Sequence, residues 1–327
     1  MNRRGLIQIF AGTALAAGIA AGALSPAAAA NKEIVYLTPG LDLPFWRYLS
    51  EGVEKVAKDK GYAYQALDSH NSAQTQLRNA QDAIARGVAG IVISPTDSST
   101  APSVQDLAAK ANIPVVIADI GTNGGDYVSF IISDNFEGAK GVGEALAKAL
   151  KAKNWQDGSV GLVTISQARK NGQARTAGFR EAMKAAGITK EASLQQMQSY
   201  TADETFKFVQ DMITGHPDMR AVWIQTDQPA IGALRAIKAA RKQNDILVAA
   251  FDGIPEFVDL LKSGQIVATG MQQPYLMGEK SAEAMFTHLE GGTPEKQILV
   301  PILVVTSENI DQVLPTVKET VFANEMK

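Results

Sequence analysis

Aromatic, acidic, amide and guanidinium side chains recur where this sequence passes from one predicted strand to the next element. They are Phe45, Trp46, Asp119, Arg175, Tyr200, Asp227, Asp252 and Gln272. Carboxylates and guanidinium groups form charge-assisted hydrogen bonds to hydroxyl groups. Aromatic faces stack on the C–H surface of a sugar ring. The combination predicts a binding site for a sugar or a sugar-like small molecule.

Other kinds of site find little support. The chain has 327 residues, a net charge of −3 and no cysteine, which excludes disulfides and thiolate metal sites and does not favour a nucleic-acid partner. Its three histidines, His70, His216 and His288, lie far apart in the sequence. No phosphate-binding glycine loop follows the first predicted strand, and no nucleophile elbow is present. We predict no cofactor, metal site or enzymatic activity, although a single Ser or Asp nucleophile stays open on these grounds.

The elements that must position the candidate residues alternate between short apolar strands and amphipathic helices. Predicted strands cover residues 33–38, 62–67, 90–94, 115–118, 160–164, 194–200, 221–225, 247–251, 266–271 and 300–305. Helical spacing of apolar residues fills the intervals, for example in 45–60 and 202–215. Such alternation with short connections predicts parallel sheets that are covered by helices on both faces.

An internal echo favours two sheets over a single barrel. Residues 81–84 (QDAI) lead into a buried strand that is followed by a Thr-Asp pair, and residues 210–213 (QDMI) do the same about 130 positions later. Chance similarity between two strand–helix units is the alternative explanation. In open α/β sheets ligands bind beyond the carboxyl ends of the strands. Two lobes that face each other would therefore bind the ligand in the cleft between them.

The first thirty residues have the pattern of a secretory signal peptide. Arg3 and Arg4 provide a positive start, residues 6–24 are apolar, and small residues precede a predicted cleavage after Ala30. A transmembrane anchor is the alternative, and the paired arginines also permit twin-arginine export. With no cysteine there is no lipid anchor. A freely soluble receptor would be retained only between two membranes, which favours a Gram-negative periplasm.

Nine short motifs resemble those of the periplasmic sugar-binding proteins of the ribose-binding type. They are Pro44-Phe45-Trp46, Leu67-Asp68-Ser69, Ser94-Pro95-Thr96-Asp97, Ala111-Asn112-Ile113-Pro114-Val115, Ser133-Asp134-Asn135, Ala177-Gly178-Phe179, His216-Pro217-Asp218, Gly232-Ala233-Leu234-Arg235-Ala236 and Phe251-Asp252-Gly253. Each is weak alone, but they occur in order and span nearly the whole chain after residue 30.

The resemblance implies an α/β fold of two similar, doubly wound parallel-sheet lobes joined by a three-crossing hinge. The expected N-terminal lobe comprises residues 31–135 and 273–302, and the C-terminal lobe residues 136–272 and 303–327. It also implies a monomeric receptor that closes on one ligand and delivers it to the membrane permease of an ABC importer. The ligand-contacting residues carried over are Phe45, Trp46, Asp119, Arg175, Tyr200, Thr226, Asp252 and Gln272.

Three positions depart from the ribose binders, which carry Asn, Arg and Asn where this chain has Leu43, Ile120 and Thr226. Each change removes or shortens a polar contact. We therefore expect a less hydroxylated or more apolar ligand than ribose, such as a deoxysugar, a modified sugar or a small polyol.

Structural roles compete with binding at several of these residues. Asp227 is better explained as the N-cap of the following helix, and Phe45 fits an apolar helical stripe.

At the level of function, a sensory receptor that reports to a membrane kinase or chemoreceptor is the main alternative. A repressor is rejected because the leader occupies the place of a DNA-binding domain, and a secreted hydrolase lacks a recognisable catalytic group.

Overall fold

A computed structural model describes residues 31–326, so the predicted signal peptide lies outside the described residues. The strands are β1 (Asn31–Thr38), β2 (Ala63–Asp68), β3 (Val88–Ile93), β4 (Val115–Ala118), β5 (Ser129–Ser133), β6 (Ser159–Thr164), β7 (Glu191–Gln196), β8 (Met219–Ile224), β9 (Leu247–Phe251), β10 (Ala268–Met271), β11 (Gln297–Val300) and β12 (Leu303–Thr306). The helices are α1 (Pro44–Asp59), α2 (Ala73–Ala85), α3 (Ala101–Lys110), α4 (Asn135–Ala152), α5 (Lys170–Ala185), α6 (Ala202–Gly215), α7 (Gln228–Ala239), α8 (Phe257–Lys262), α9 (Pro274–Leu289) and α10 (Ile310–Thr316), and a π-helical turn (Val317–Val321) follows.

The strands of this described part form two six-stranded sheets with the same winding. The first has the order β11-β5-β4-β3-β1-β2 and the second the order β12-β10-β9-β8-β6-β7. All pairs are parallel except β10 with β12. Both copies of the QDAI/QDMI echo occupy equivalent places, α2 before β3 and α6 before β8. The predicted architecture of two similar lobes is confirmed.

Apolar side chains cover both faces of each sheet. In β1, Tyr36 packs on one face with Val92 of β3, while Val35 and Leu37 pack on the other with Ile91. In a strand that is buried on both faces, none of the side chains points to solvent. Its sequence is therefore continuously apolar. No helix within residues 31–326 is long and apolar enough to cross a membrane.

Three strand predictions differ from the structure. The predicted strand 300–305 is two strands in different sheets, interrupted at Pro301, which has no N–H to donate to a ladder. β5 was not predicted, because its five residues include two serines and follow a loop rich in glycine and aspartate. β7 ends at Gln196, so Tyr200 lies in the loop before α6 and not on the strand.

Within residues 31–326 the chain passes between the two sheets at three places: between β5 and α4, between β10 and α9, and between β11 and β12. Each passage is short, and the last comprises only Pro301 and Ile302. The carboxyl ends of β4, β8, β9 and β10 therefore lie close to the passages that connect the lobes.

Glycine permits very close helix packing beside the sheets. Gly278 of α9 lies against the backbone of α1, where a Cβ atom would overlap the carbonyl oxygen of Leu49. Gly178 of α5 packs in the same way on Phe136 of α4. These positions accept no side chain unless the helices move apart.

Gly278→Ala should therefore destabilise the protein by about 1–3 kcal/mol, the usual cost of overpacking. Gly215→Ala is the matched control, because a Cβ atom there meets nothing within 4 Å. We expect that control to be neutral or stabilising by up to about 1 kcal/mol, from helix propensity. Urea unfolding monitored by circular dichroism measures both, and equal effects would contradict the close-packing argument.

Candidate functional site

The guanidinium group of Arg175 is the centre of the site between the lobes. Arg175 lies in the second turn of α5 and is 2% exposed. Its Nε donates to Asn135 Oδ1 at 2.7 Å, and its Nη1 donates to the carbonyl oxygen of Gln225 at 2.8 Å and to Asp252 Oδ2 at 3.1 Å. Its Nη2 donates to Gln272 Oε1. The side chain thus joins the ends of β8, β9 and β10 to the start of α4.

Asp119 carries this network into the first lobe. It follows β4, and its Oδ1 accepts from Gln272 Nε2 at 2.7 Å. Its Oδ2 accepts from Asn171 Nδ2, on the first turn of α5, at 3.0 Å. Both donors belong to the second lobe or to the passage that leaves it. The Asp119 carboxylate therefore bonds across the cleft on both of its oxygens.

Three buried carboxyl groups lie near the buried guanidinium group of Arg175. Burial raises the pKa of Asp252 to about 8, with Arg175 acting in the opposite direction. Burial also raises the pKa of Asp119 and of Asp227. Among the described residues, Asp252 Oδ1 and Asp227 Oδ2 have no hydrogen-bond partner. Asp252 therefore presents an oxygen that a ligand hydroxyl can satisfy.

Aromatic rings form the opposite wall of the site. Phe45 and Trp46, at the start of α1, pack edge to face with centroids 4.8 Å apart, and both are 6% exposed. Tyr200 approaches from the second lobe, and its hydroxyl oxygen accepts the backbone N–H of Ser166 at 3.1 Å. Since the rings come from both lobes, a ligand between them would contact each lobe.

Backbone geometry directs three of these side chains. Asp119, Tyr200 and Asp252 have φ values of 62°, 56° and 58°. Residues other than glycine seldom adopt this left-handed conformation, and such strain concentrates at functional sites. Here it turns the chain sharply, directly beyond β4 and β9 and in the β7–α6 loop.

The structure brings seven of the eight predicted ligand-contacting residues to one space. Phe45, Trp46, Asp119, Arg175, Tyr200, Thr226 and Asp252 line it, together with Leu43, Ile165, Arg169 and Asn171. We call this space the inner site. The eighth residue, Gln272, is fully buried behind Asp119 and Arg175. The inner site encloses about 30 Å³, room for only one or two waters.

Asp227 has the capping role that the sequence predicts. It is the N-cap of α7, and its Oδ1 accepts the backbone N–H of Gln228 at 2.6 Å.

Ile120, where the ribose binders carry Arg, is fully buried. Arg175 is buried, so it is not a solvated residue of its helix. No group of metal-ligating side chains was found in residues 31–326.

Sequence reasoning missed two further residues that cross the cleft. Arg169, only 5% exposed, donates from Nε to the carbonyl oxygen of Thr96 at 2.9 Å and from Nη2 to Asn71 Oδ1 at 2.8 Å. Lys170 donates from Nζ to the carbonyl oxygen of Thr122 at 2.8 Å. We call Arg169 and Lys170 the α5 latch. Both lie where α5 begins, and a basic pair at a helix start is ordinarily solvated, so the local sequence does not indicate their contacts across the cleft.

The chain matches the model of the periplasmic binding protein domain over residues 34–293. The ribose import binding protein of Salmonella typhimurium is 33% identical over 308 residues, which cover 94% of this chain and all of that protein. A D-ribose/D-allose-binding protein of Pseudomonas aeruginosa is 29% identical, with coverage of 80% and 85%. A carbohydrate transporter solute binding protein of Agrobacterium radiobacter, solved with D-arabinose, superimposes with a TM-score of 0.82 at 24% identity, with coverage of 88% and 98%.

A fold of two similar lobes with an internal polar site defines a class of binding receptors. The chain belongs to the periplasmic binding protein family. The two curated relatives named above are binding proteins for sugars, and the name of the Salmonella protein places it in import.

The raised pKa of Asp252 predicts a pH dependence of stability. The pKa in the folded protein is about 8, above the ordinary value of 3.8. The protonated carboxyl group therefore stabilises the folded state below about pH 4, and this contribution is lost as the pH rises to about 8. Asp252→Asn makes the contribution independent of pH. We expect the variant to gain stability relative to the original protein between pH 5 and pH 9, measured by urea unfolding without ligand.

Asp119→Asn should change the stability difference in the same direction, because burial raises the pKa of that carboxyl group too. A stability difference that stays constant from pH 5 to pH 9 for both variants would show that these carboxyl groups are ionised throughout that range.

Proposed function

We propose that this protein is a periplasmic receptor that binds a sugar or sugar-like molecule between its lobes and delivers it to an ABC importer. The observation that carries the proposal is the buried group of Asp119, Arg175 and Asp252 opposite aromatic rings from both lobes. Carboxylates and guanidinium satisfy hydroxyl groups, and the rings cover the apolar faces of the sugar. Buried hydroxyl groups that must all find partners give such a site its selectivity.

Binding requires that the lobes separate and close again. The inner site encloses about 30 Å³, which is far smaller than the 300 Å³ or more of ordinary small-molecule sites. A sugar ring therefore enters when the three passages between the sheets act as a hinge. Only the closed form contacts the ligand from both lobes, so the ligand shifts the population towards closure.

The lining favours a ligand that differs from ribose. Leu43 contributes an apolar side chain to the inner site, Thr226 a short hydroxyl group, and Ile120 is buried beside Asp119. A deoxysugar, a modified sugar or a small polyol suits these residues better than a fully hydroxylated pentose.

Transport is the better-supported function because the Salmonella relative is an import binding protein. None of the relatives named above is described as a sensory receptor. Export by a cleaved signal peptide of residues 1–30, a periplasmic location, a monomeric state and docking of the closed form on a membrane permease complete the proposal.

A thermal-shift screen of sugars, deoxysugars, polyols and amino acids tests the ligand class. A ligand at 100 times its dissociation constant should stabilise the protein by about 2.7 kcal/mol. With the sugar that binds, Asp119→Asn should weaken binding by about 1.5–3 kcal/mol, because a buried charged acceptor is lost. Asp106→Asn on the exposed face of α3 is the control and should bind normally. Shifts with amino acids alone would refute sugar binding.

The α5 latch should favour the closed form before any ligand binds. Ser98 Oγ accepts the backbone N–H of Lys170 at 3.2 Å, and neither residue lines the inner site. The double variant Ser98→Ala/Lys170→Ala should lose about 1–3 kcal/mol of closure free energy. We expect a larger radius of gyration by small-angle X-ray scattering without ligand, and a weaker apparent affinity.

The control for the latch is Ser103→Ala/Lys207→Ala, which changes the same two residue types at exposed positions on α3 and α6. An unchanged radius and affinity in the latch variant would show that these bonds do not hold the lobes together.

A further inference from the structure

A second, larger space lies between the lobes next to the inner site. Asp42, His70 and Asn71 line it from the first lobe, and Gln198, Thr201 and Gln228 from the second. We call it the outer chamber. Its volume is about 370 Å³, within the range of small-molecule sites and about ten times that of the inner site.

The two spaces share a wall. Leu43, Trp46, Arg169 and Tyr200 line both the inner site and the outer chamber. A molecule that contacts Trp46 and Tyr200 in the inner site therefore contacts side chains that also border the chamber. A substituent that passed between these side chains would enter the chamber.

We infer that the receptor takes a sugar that carries a second group, that is a glycoside or a disaccharide, with the sugar ring in the inner site and the second group in the outer chamber. This inference rests on the proposed function, because it assigns a substrate class to the same cleft. It also places the second group outside an inner site that, at about 30 Å³, must open even to admit one ring.

The chemistry of the chamber selects a neutral, hydroxylated second group. Its walls offer amides from Asn71, Gln198 and Gln228, a hydroxyl group from Thr201 and a carboxylate from Asp42. These donate to and accept from hydroxyl groups, while the ring of Trp46 covers apolar surface.

An anionic second group is less suitable. Arg169 is the guanidinium group at the shared wall, and it already donates to Thr96 and Asn71. It also lies over the ring of Tyr200, with its Cζ atom 5.2 Å from the centroid. The position of Arg169 is therefore set by protein partners, and the carboxylate of Asp42 opposes a second negative charge in the chamber.

The loops that form the chamber are held in defined conformations. His70 and Asn71 have φ values of 47° and 53°, and the Asn71 N–H donates to the carbonyl oxygen of Pro39 at 2.6 Å. The Asp68 carboxylate accepts the N–H groups of Leu41 and His70 at 3.0 and 2.7 Å. Walls that are ordered in this way lose little entropy when a ligand binds.

The test compares three matched series by isothermal titration calorimetry. They are D-ribose, methyl β-D-ribofuranoside and adenosine; D-galactose, methyl β-D-galactopyranoside and lactose; and D-glucose, methyl α-D-glucopyranoside and maltose. We expect the glycosylated members of at least one series to bind at least tenfold more tightly than the free sugar. Gln228→Trp, which places a larger, apolar side chain in the chamber and removes an amide, should abolish this gain and leave binding of the free sugar within about twofold.

Gln210→Trp is the matched control, an exposed glutamine of α6 outside the chamber, and it should keep the full gain. If Gln228→Trp folds poorly by circular dichroism, Gln228→Ala gives the same test with a smaller loss. Tight binding of a free sugar with weaker binding of all its glycosides would overturn the inference and leave the proposed receptor intact. Binding of no compound in any series would overturn the inference, and the proposed function would fall with it only if the thermal-shift screen of deoxysugars and polyols also gave no shift.

Discussion

One buried positive charge organises the cleft. A guanidinium group removed from water is tolerated only when its donors are satisfied and an opposite charge is close. Arg175 meets this requirement through Asn135, Gln225, Asp252 and Gln272. Those partners follow three neighbouring strands of one sheet and begin the helix after a passage between lobes. The ends of these elements must therefore lie close together, because otherwise the charge of Arg175 could not be buried. The fold thus fixes the position of the site.

The same requirement leaves the cleft with more acceptors than donors. Asp119, Asp227 and Asp252 bring three buried carboxyl groups to a cleft that holds two buried guanidinium groups, those of Arg175 and Arg169. Burial raises the pKa of each carboxyl group. A hydroxylated ligand supplies donors that can reach Asp252 Oδ1, an atom with no hydrogen-bond partner among the described residues. A ligand hydroxyl group and a proton would therefore compete for the carboxyl oxygen of Asp252, so ligand affinity would depend on pH.

The parts of the structure that depend on local sequence could be predicted, and those that depend on contact between lobes could not. Strands that are buried on both faces show as continuous apolar runs, and the polar residues directly after them, such as Asp119 and Asp252, followed from the rule that ligands bind at carboxyl ends. Arg169 is buried because Thr96, 73 positions earlier, and Asn71, 98 positions earlier, face it across the cleft. No local pattern carries that information. The ligand roles of the site residues stay predictions.

Two kinds of contact hold the lobes together, and Arg169 belongs to both. The hydrogen bonds of Arg169 to Thr96 and Asn71 form without a ligand. Arg169 also lines both the inner site and the outer chamber, so a molecule that occupied both spaces would contact it. If the latch alone drove closure, the population of the closed form would not depend on the ligand. A ligand shifts this population only by the difference between its affinities for the closed and the open form. Because Asn71 is both a latch partner and a chamber wall, a group in the chamber would act directly on the latch. The size of the ligand would then determine how firmly the lobes close.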